Sequence, residues 1–313
     1  MIGFLKKLGA VLVTLLVISL LAFLAFQIIP GDPTAKLLGT EYTPERAEAL
    51  RESLGLNGSA AARYLSWLGG FVRGDFGTSY SYNQPVAELL SGKIVTTAAL
   101  SLIAFLITII ISIPTALLAA RRAGGVLDRL LLGGGQVLMS IPPFFTGIIF
   151  TWIFGLVLNM FTVGKFVYIY ESFWGFVGYL LLPALAIALP KGAMTAKLLR
   201  SSLVSEQSRD YVRTAISRGH SPRSALRSHV LRNALLPTIT FLAMTLADIV
   251  AGSIIIEQVF SIPGLGRMLI ASISNRDYPV VQAITVMIAA LVVIVNFLAD
   301  TLCRIIDPRV RLK

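Results

Sequence analysis

Few residues in this chain could do covalent or metal chemistry. His220 and His229 are the only histidines and Cys303 the only cysteine among 313 residues. The histidines stand nine apart, form no H-E-x-x-H pattern and have no cysteine near them to complete a zinc-type set. One cysteine also excludes an intrachain disulfide. No Ser, His and Asp set is suggested outside the apolar segments. The pattern G-x-x-x-x-G-K-[ST] is missing as well, because Gly92-Lys93 is followed by Ile94. The chain is therefore expected to hold no metal or cofactor and to hydrolyse no ATP itself.

The charges that interrupt apolar sequence are the next candidates. Asp248 sits alone in the apolar run from Ala234 to Ile256. A charge there costs several kcal/mol, about 2.5 or more, unless it is paired or faces water. Asp248 therefore fits either a polar pathway or a hydrogen bond to a neighbouring helix. Glu257 closes the same run. Asp300 lies four residues before Arg304, the spacing of a local helical ion pair.

The elements that hold these residues are long apolar runs. Hydrophobic residues make up 56% of the chain and charged ones 14%, an imbalance foreign to soluble domains. No charge occurs in Leu8 to Ile29, Ile94 to Ala120, Leu130 to Gly164, Ser172 to Pro190 or Tyr278 to Ala299. About 20 apolar residues cross a bilayer as a helix, so these five and the Asp248 run predict six spans. Leu130 to Gly164 is longer and carries Pro142-Pro143, which predicts one kinked helix followed by a loop. The expected fold class is an all-α polytopic membrane protein. The first run is expected to be a retained anchor rather than a cleaved signal peptide.

Orientation follows from the basic residues. With a cytoplasmic N-terminus, segments 1–7, 121–129, 191–233 and 303–313 lie inside. They carry eighteen Lys and Arg against four acids: Asp128, Glu206, Asp210 and Asp307. The outer segments carry nine basic residues against ten acids. Both termini are accordingly expected in the cytoplasm. The net charge of +11 is spread over short loops, which argues against nucleic-acid binding.

Two regions outside the spans can hold structure. In the outer segment, Thr43-Pro44-Glu45-Arg46 reads as a helix start, and Ala47, Leu50, Leu54, Tyr64, Leu65 and Leu68 suggest short amphipathic helices folded on the membrane face. Gly74-Asp75-Phe76-Gly77 reads as a turn. The inner loop of roughly forty residues follows the fourth span. Tyr211 with Ala215, and Val212 with Ile216, form one apolar stripe, with Arg209 and Arg213 off it. Gly219 predicts a helix stop, and Ser221-Pro222 an N-cap and first helical residue for a helix through Arg223, Arg227 and Arg232. The spacing fits a docking helix and equally an amphipathic helix resting on anionic lipid.

This loop resembles the cytoplasmic "EAA" loop of binding-protein-dependent ABC importer permeases, in the version of the dipeptide, oligopeptide and nickel family. The matching residues run from Arg209-Asp210-Tyr211-Val212-Arg213-Thr214-Ala215 through Gly219 to His229-Val230-Leu231-Arg232-Asn233-Ala234-Leu235-Leu236-Pro237. His229, Leu231 and Arg232 depart from the general importer pattern, as is typical of the peptide and nickel branch. Pro30-Gly31-Asp32-Pro33, Gly74 to Ser79, Glu257 to Gly266, Arg276-Asp277-Tyr278-Pro279, Asn296 with Asp300, and Asp307 to Arg311 resemble further landmarks of that family, in order along nearly the whole chain.

The resemblance implies a type I ABC importer permease in the plasma (inner) membrane. Residues 1–93 would hold the first helix and outer loop, 94–303 a five-helix core with coupling loop 200–233, and 304–313 a cytoplasmic tail. It implies a second homologous permease, two ATP-binding cassette ATPase subunits or domains that use ATP and Mg, and an external solute-binding protein. Asp210, Tyr211, Arg213, Ala215, Ile216 and Gly219 would couple to the ATPase, with Tyr211, Ala215 and Ile216 facing it. Ala215 and Gly219 would be small to let backbones approach. Asp248, Glu257, Phe260, Pro263 and Gly264 would line or shape the pathway or its gate. Peptides are the expected substrate, with nickel or another metal chelate as the alternative. A secondary transporter predicts inverted repeats and several membrane carboxylates, which the chain lacks. A structural scaffold predicts no solute flux.

Overall fold

The computed structural model describes residues 2–28, 34, 38–53 and 58–306. Pro30 to Pro33, Leu54 and Asp307 to Arg311 lie outside these, and so do the side chains of Asp300 and Arg304. Among the described residues the elements are helices: α1 Ile2–Ile28, α2 Pro44–Ser53, α3 Ala60–Val72, α4 Val86–Arg121, α5 Val126–Ser140, α6 Pro143–Phe150, α7 Phe173–Gln207, α8 Asp210–Ser217, α9 Pro222–Val259, α10 Leu265–Asn275 and α11 Tyr278–Ile306. Five of them (α1, α4, α7, α9 and α11) are long and apolar enough to cross a bilayer, and α5 with α6 makes a sixth span if the bent pair is one crossing.

That bend is sharper than a kink. α5 and α6 meet at 94°. Pro142 stands in extended backbone (φ −60°, ψ 142°), the conformation imposed on a residue before proline, and Pro143 then opens α6 as its first residue. α6 runs into a π-helical turn, Thr151–Val157.

α7 departs from expectation in length. It continues through Pro190 to Gln207, so the inner loop read as forty residues holds several helical turns, and only residues 208–221 separate α7 from α9. Ser172 caps its start, accepting the Gly175 N–H at 3.1 Å. Pro183 and Pro190 lie inside it, as prolines can where neighbouring helices satisfy the freed carbonyls.

The described residues fall into two compact units. Residues 98–262 and 295–306 form one, whose core lies between α4, α7 and α9. One apolar cluster includes Leu100, Leu180, Ile187, Ile249, Ile256 and Phe260. Another, towards the inner loop, includes Ala116, Leu199, Leu203, Val212, Leu226 and Val230. Small residues set the helix spacing, as is general in membrane bundles. A Cβ on Gly147 would stand 3.1 Å from the Phe260 ring, and one on Gly192 3.3 Å from Ile111.

Residues 1–97 and 263–294 form the other unit. Thr43 and Pro44 begin α2 as expected, with the Arg46 N–H donating to Thr43 Oγ1 at 3.3 Å. An aromatic series ties α3 to α1: Phe23 packs edge-on against Tyr64 at 5.4 Å, and Trp67, Phe71 and Phe76 follow. Ser19 and Tyr64 share a 2.9 Å hydrogen bond between their hydroxyls. Leu65 points away from this packing.

The turn at Gly74 to Gly77 forms as predicted, with both glycines at positive φ (83° and 81°) and Asp75 accepting the Gly77 N–H at 2.9 Å. Beyond it, the buried Asp277 carboxylate accepts Ser79 Oγ at 2.5 Å, the Tyr80 N–H at 3.0 Å and the Ser81 N–H at 3.3 Å. A buried carboxylate needs such donors, and here they come from a segment nearly two hundred residues away.

Asp277→Ala strands these donors, so it should lower stability by about 3 kcal/mol, measured as a fall in melting temperature of the detergent-purified protein. Tyr80 gives a second test. Burial, reinforced by the Asp277 charge, pushes its hydroxyl up to about 12. A free tyrosine ionises near about 10, so the stability tied to the neutral phenol is complete below that pH and declines as pH climbs towards about 12. Tyr80→Phe should flatten that alkaline decline in unfolding curves taken at stepped pH.

Candidate functional site

The inner loop forms the helix expected. α8 begins at Asp210, whose carboxylate sits in the first turn, where the helix dipole favours negative charge. Asp210 and Arg213 are both well exposed and 4.0 Å apart, a loose surface pair.

The predicted stripe divides in two. Val212 is only 5% exposed and belongs to the cluster of Ala116, Ala120, Leu199, Leu203 and Leu226, which seats α8 on α4, α7 and α9. Tyr211 and Ile216 are exposed and Ala215 is half-buried, so the outward face is narrower than the sequence implied. The Tyr211 hydroxyl donates to Glu206 at 2.8 Å, and partial burial raises its pKa. Tyr211 is thus held in place with its ring uncovered.

Gly219 meets a backbone requirement of its own. Its φ is +96°, and a Cβ there would meet nothing within 4 Å. The Gly219 N–H donates to Ile216 O at 2.9 Å and the His220 N–H to Ala215 O at 3.2 Å. These bonds are the 5→2 and 6→1 pair of a left-handed helix cap, which favours glycine at that position. Ser221 then caps α9 through the Ser224 N–H at 3.3 Å, with Pro222 at its first position, as predicted. The same fold brings His220 and His229 together edge-to-face, their ring centroids 5.1 Å apart. His229 lies in a π-helical stretch of α9, Leu226–Val230.

Asp128 of α5 accepts Arg200 of α7 through two bonds, Nη2 at 2.5 Å and Nε at 3.0 Å, and the Gly124 N–H at 2.7 Å. The carboxylate is 2% exposed. A bidentate arginine with a third donor satisfies a buried carboxylate well. The residues stand 72 apart, and only the fold reveals the pair.

Asp248 has a partner of the same kind. Lys191 Nζ of α7 donates to its Oδ2 at 2.8 Å. This is the hydrogen bond to a neighbouring helix, yet the carboxylate remains 65% exposed. By sequence alone Lys191 falls in the inner loop, because the apolar run stops at Pro190. Asp248 alone among the five residues expected at the pathway or gate combines an open surface with a charge inside an apolar run. Glu257 and Phe260 are fully buried at the end of α9, and Tyr179 donates to Phe260 O at 2.8 Å. In the other unit Pro263 is half-buried and Gly264 buried at the start of α10, where the Leu265 N–H donates to Thr97 Oγ1 at 2.9 Å.

Such a chain is a polytopic helical membrane subunit with a small helix presented between its fourth and fifth spans. The sequence pattern of the family described as "binding-protein-dependent transport system inner membrane component" matches residues 112–312, and that of its N-terminal component matches 1–101. The chain belongs to this family, and is a multi-pass inner membrane protein. It is 36% identical to the oligopeptide transport system permease protein AppB of Bacillus subtilis, over 95% of each chain. It is 33% identical to the probable peptide ABC transporter permease protein y4tP of Sinorhizobium fredii, over 98% of each. With the dipeptide transport system permease protein DppB of Escherichia coli it shares 32%, over 99% of this chain and 98% of that one.

The Lys191–Asp248 pair predicts non-additive substitutions. Lys191→Met or Asp248→Leu alone breaks a pair whose carboxylate is 65% exposed, and each should destabilise by about 1 kcal/mol. The double substitution should cost clearly less than the sum, read as a thermal-stability double-mutant cycle on the purified protein.

Proposed function

We propose that this chain is one of two permease subunits of an ATP-driven importer of peptides, with α8 as the element through which separate ATPases act on it. The observation that carries this is the division of α8: Val212 packs into the cluster shared with three other helices, while Tyr211 and Ile216 stay outside that cluster and exposed. A short, firmly seated helix with an uncovered apolar face suits insertion into a groove on a partner. Asp210, Arg213 and Ala215 complete that surface, and Gly219 supplies its turn.

The family membership supports the partners: a second homologous permease, two ATPase subunits or domains that bind ATP and Mg, and an external solute-binding protein. The charge asymmetry supports a cytoplasmic inner loop and cytoplasmic termini. The relatives' names, which specify peptide, oligopeptide and dipeptide transport, support a peptide substrate over nickel or another chelate. Asp248, with Lys191, faces the solute pathway in this reading, because an exposed carboxylate does not rest against acyl chains. Glu257, Phe260, Pro263 and Gly264 shape the gate from within rather than touching solute.

Substitution at Gly219 cannot test the docking role, since any side chain there strains the backbone. Ile216 is the informative position. In proteoliposomes holding the full transporter and its binding protein, Ile216→Glu should cut peptide-stimulated ATP hydrolysis by about thirtyfold, the loss of one interface hot spot, while insertion and assembly persist. An unchanged rate would remove α8 from the coupling role.

A further inference from the structure

We propose that the groove between α4 and the start of α9 is a binding site for the headgroup of an anionic phospholipid. The groove encloses about 490 Å³. Its walls include Leu117 and Leu118 of α4 and Leu231 of α9, and its rim carries Arg121, Arg223 and Arg227. Arg121 is the last residue of α4, so its cation stands where that span ends. Arg223 and Arg227 are four apart on one face of α9.

No carboxylate lines the groove beside these three arginines. Arg200 binds Asp128, Arg209 lies near Glu206, and Arg213 lies near Asp210. Among the described residues no carboxylate stands within ion-pair distance of Arg121, Arg223 or Arg227. Three exposed guanidinium groups therefore converge on one groove without a counter-charge. Guanidinium forks match phosphate oxygens in pairs.

The leucines decide the kind of anion. A free phosphate would answer the arginines and leave Leu117, Leu118 and Leu231 against water. A phospholipid answers both, with its phosphate among the arginines and its acyl chains along the leucines and Pro114. The groove opens at the end of two spans, which is the depth of a lipid headgroup. The inference needs only that these helices span a bilayer, and it stands independently of the peptide reading.

Native mass spectrometry of the assembled transporter tests this, after release from nanodiscs of equal phosphatidylcholine and phosphatidylglycerol. Wild-type protein should retain phosphatidylglycerol selectively. The R121Q/R223Q/R227Q variant should lose that selectivity by roughly a hundredfold, at about fivefold per arginine near an anionic surface. Leu118→Trp, which fills the groove with every arginine in place, should lose it too, and Arg122→Gln should not. Equal elution of the variants and wild type on size exclusion establishes that assembly is intact. Unchanged phosphatidylglycerol retention in the triple variant would overturn the proposal and point to a groove covered by a partner protein. Retention in Leu118→Trp would reduce the effect to diffuse charge attraction, and displacement by millimolar inorganic phosphate would make the site one for free anions. Each of these overturns the lipid assignment.

Discussion

A charge carried on a membrane helix must find a partner or face water, and a paired one ties two helices together. Much of this chain's tertiary geometry follows from that requirement. Lys191 lets α7 continue past the point where its apolar run ends, because Asp248 on α9 faces it at 2.8 Å. Asp128 can be buried on α5 because Arg200 reaches it from α7 with two bonds. Both pairs thereby dictate which helices are neighbours of α7 and at what rotation. Apolar packing alone would specify this poorly, since acyl chains resemble leucine.

Around these pins, small residues and caps complete the frame. Gly147 and Gly192 admit the side chains of neighbouring helices so closely that a Cβ at either would press on them. Helix ends repeat one device. Gly74, Gly219, Ser261 and Arg276 all occupy left-handed backbone (φ 83°, 96°, 55° and 56°), each closing a helix with paired backbone bonds. Two of the four lack glycine and adopt the strained conformation nonetheless. Ser261 closes α9 and Arg276 closes α10, each by bonds back to its own helix.

Much of this was legible in the residues. Uninterrupted apolar runs marked the spans, and Thr43-Pro44, Ser221-Pro222 and Gly219 marked helix ends, because those signals are local and act through the residue's own backbone or its near neighbours. The features that escaped are non-local. The proline pair announced a break, while its 94° angle depends on what α6 packs against, notably Phe260 beneath Gly147. Periodicity placed Val212 and Ile216 on one stripe, and tertiary packing then turned Val212 inward and left Ile216 out. Lys191 read as the first charge of a loop because its partner lies 57 positions later. Asp277 appeared as one letter of a motif, with nothing to show that it holds Ser79, Tyr80 and Ser81.

The length of α7 carries one more consequence. Thirty-five residues at about 1.5 Å each make a rod of roughly 52 Å, whereas the hydrocarbon layer is about 30 Å thick. Even a steeply inclined rod of that length projects beyond the layer. α8 hangs from its inner end, so the loop is borne on a stiff helical post rather than a slack tether. Only Ser208 and Arg209 separate the end of α7 from the start of α8, so the two helices are joined with almost no slack chain between them.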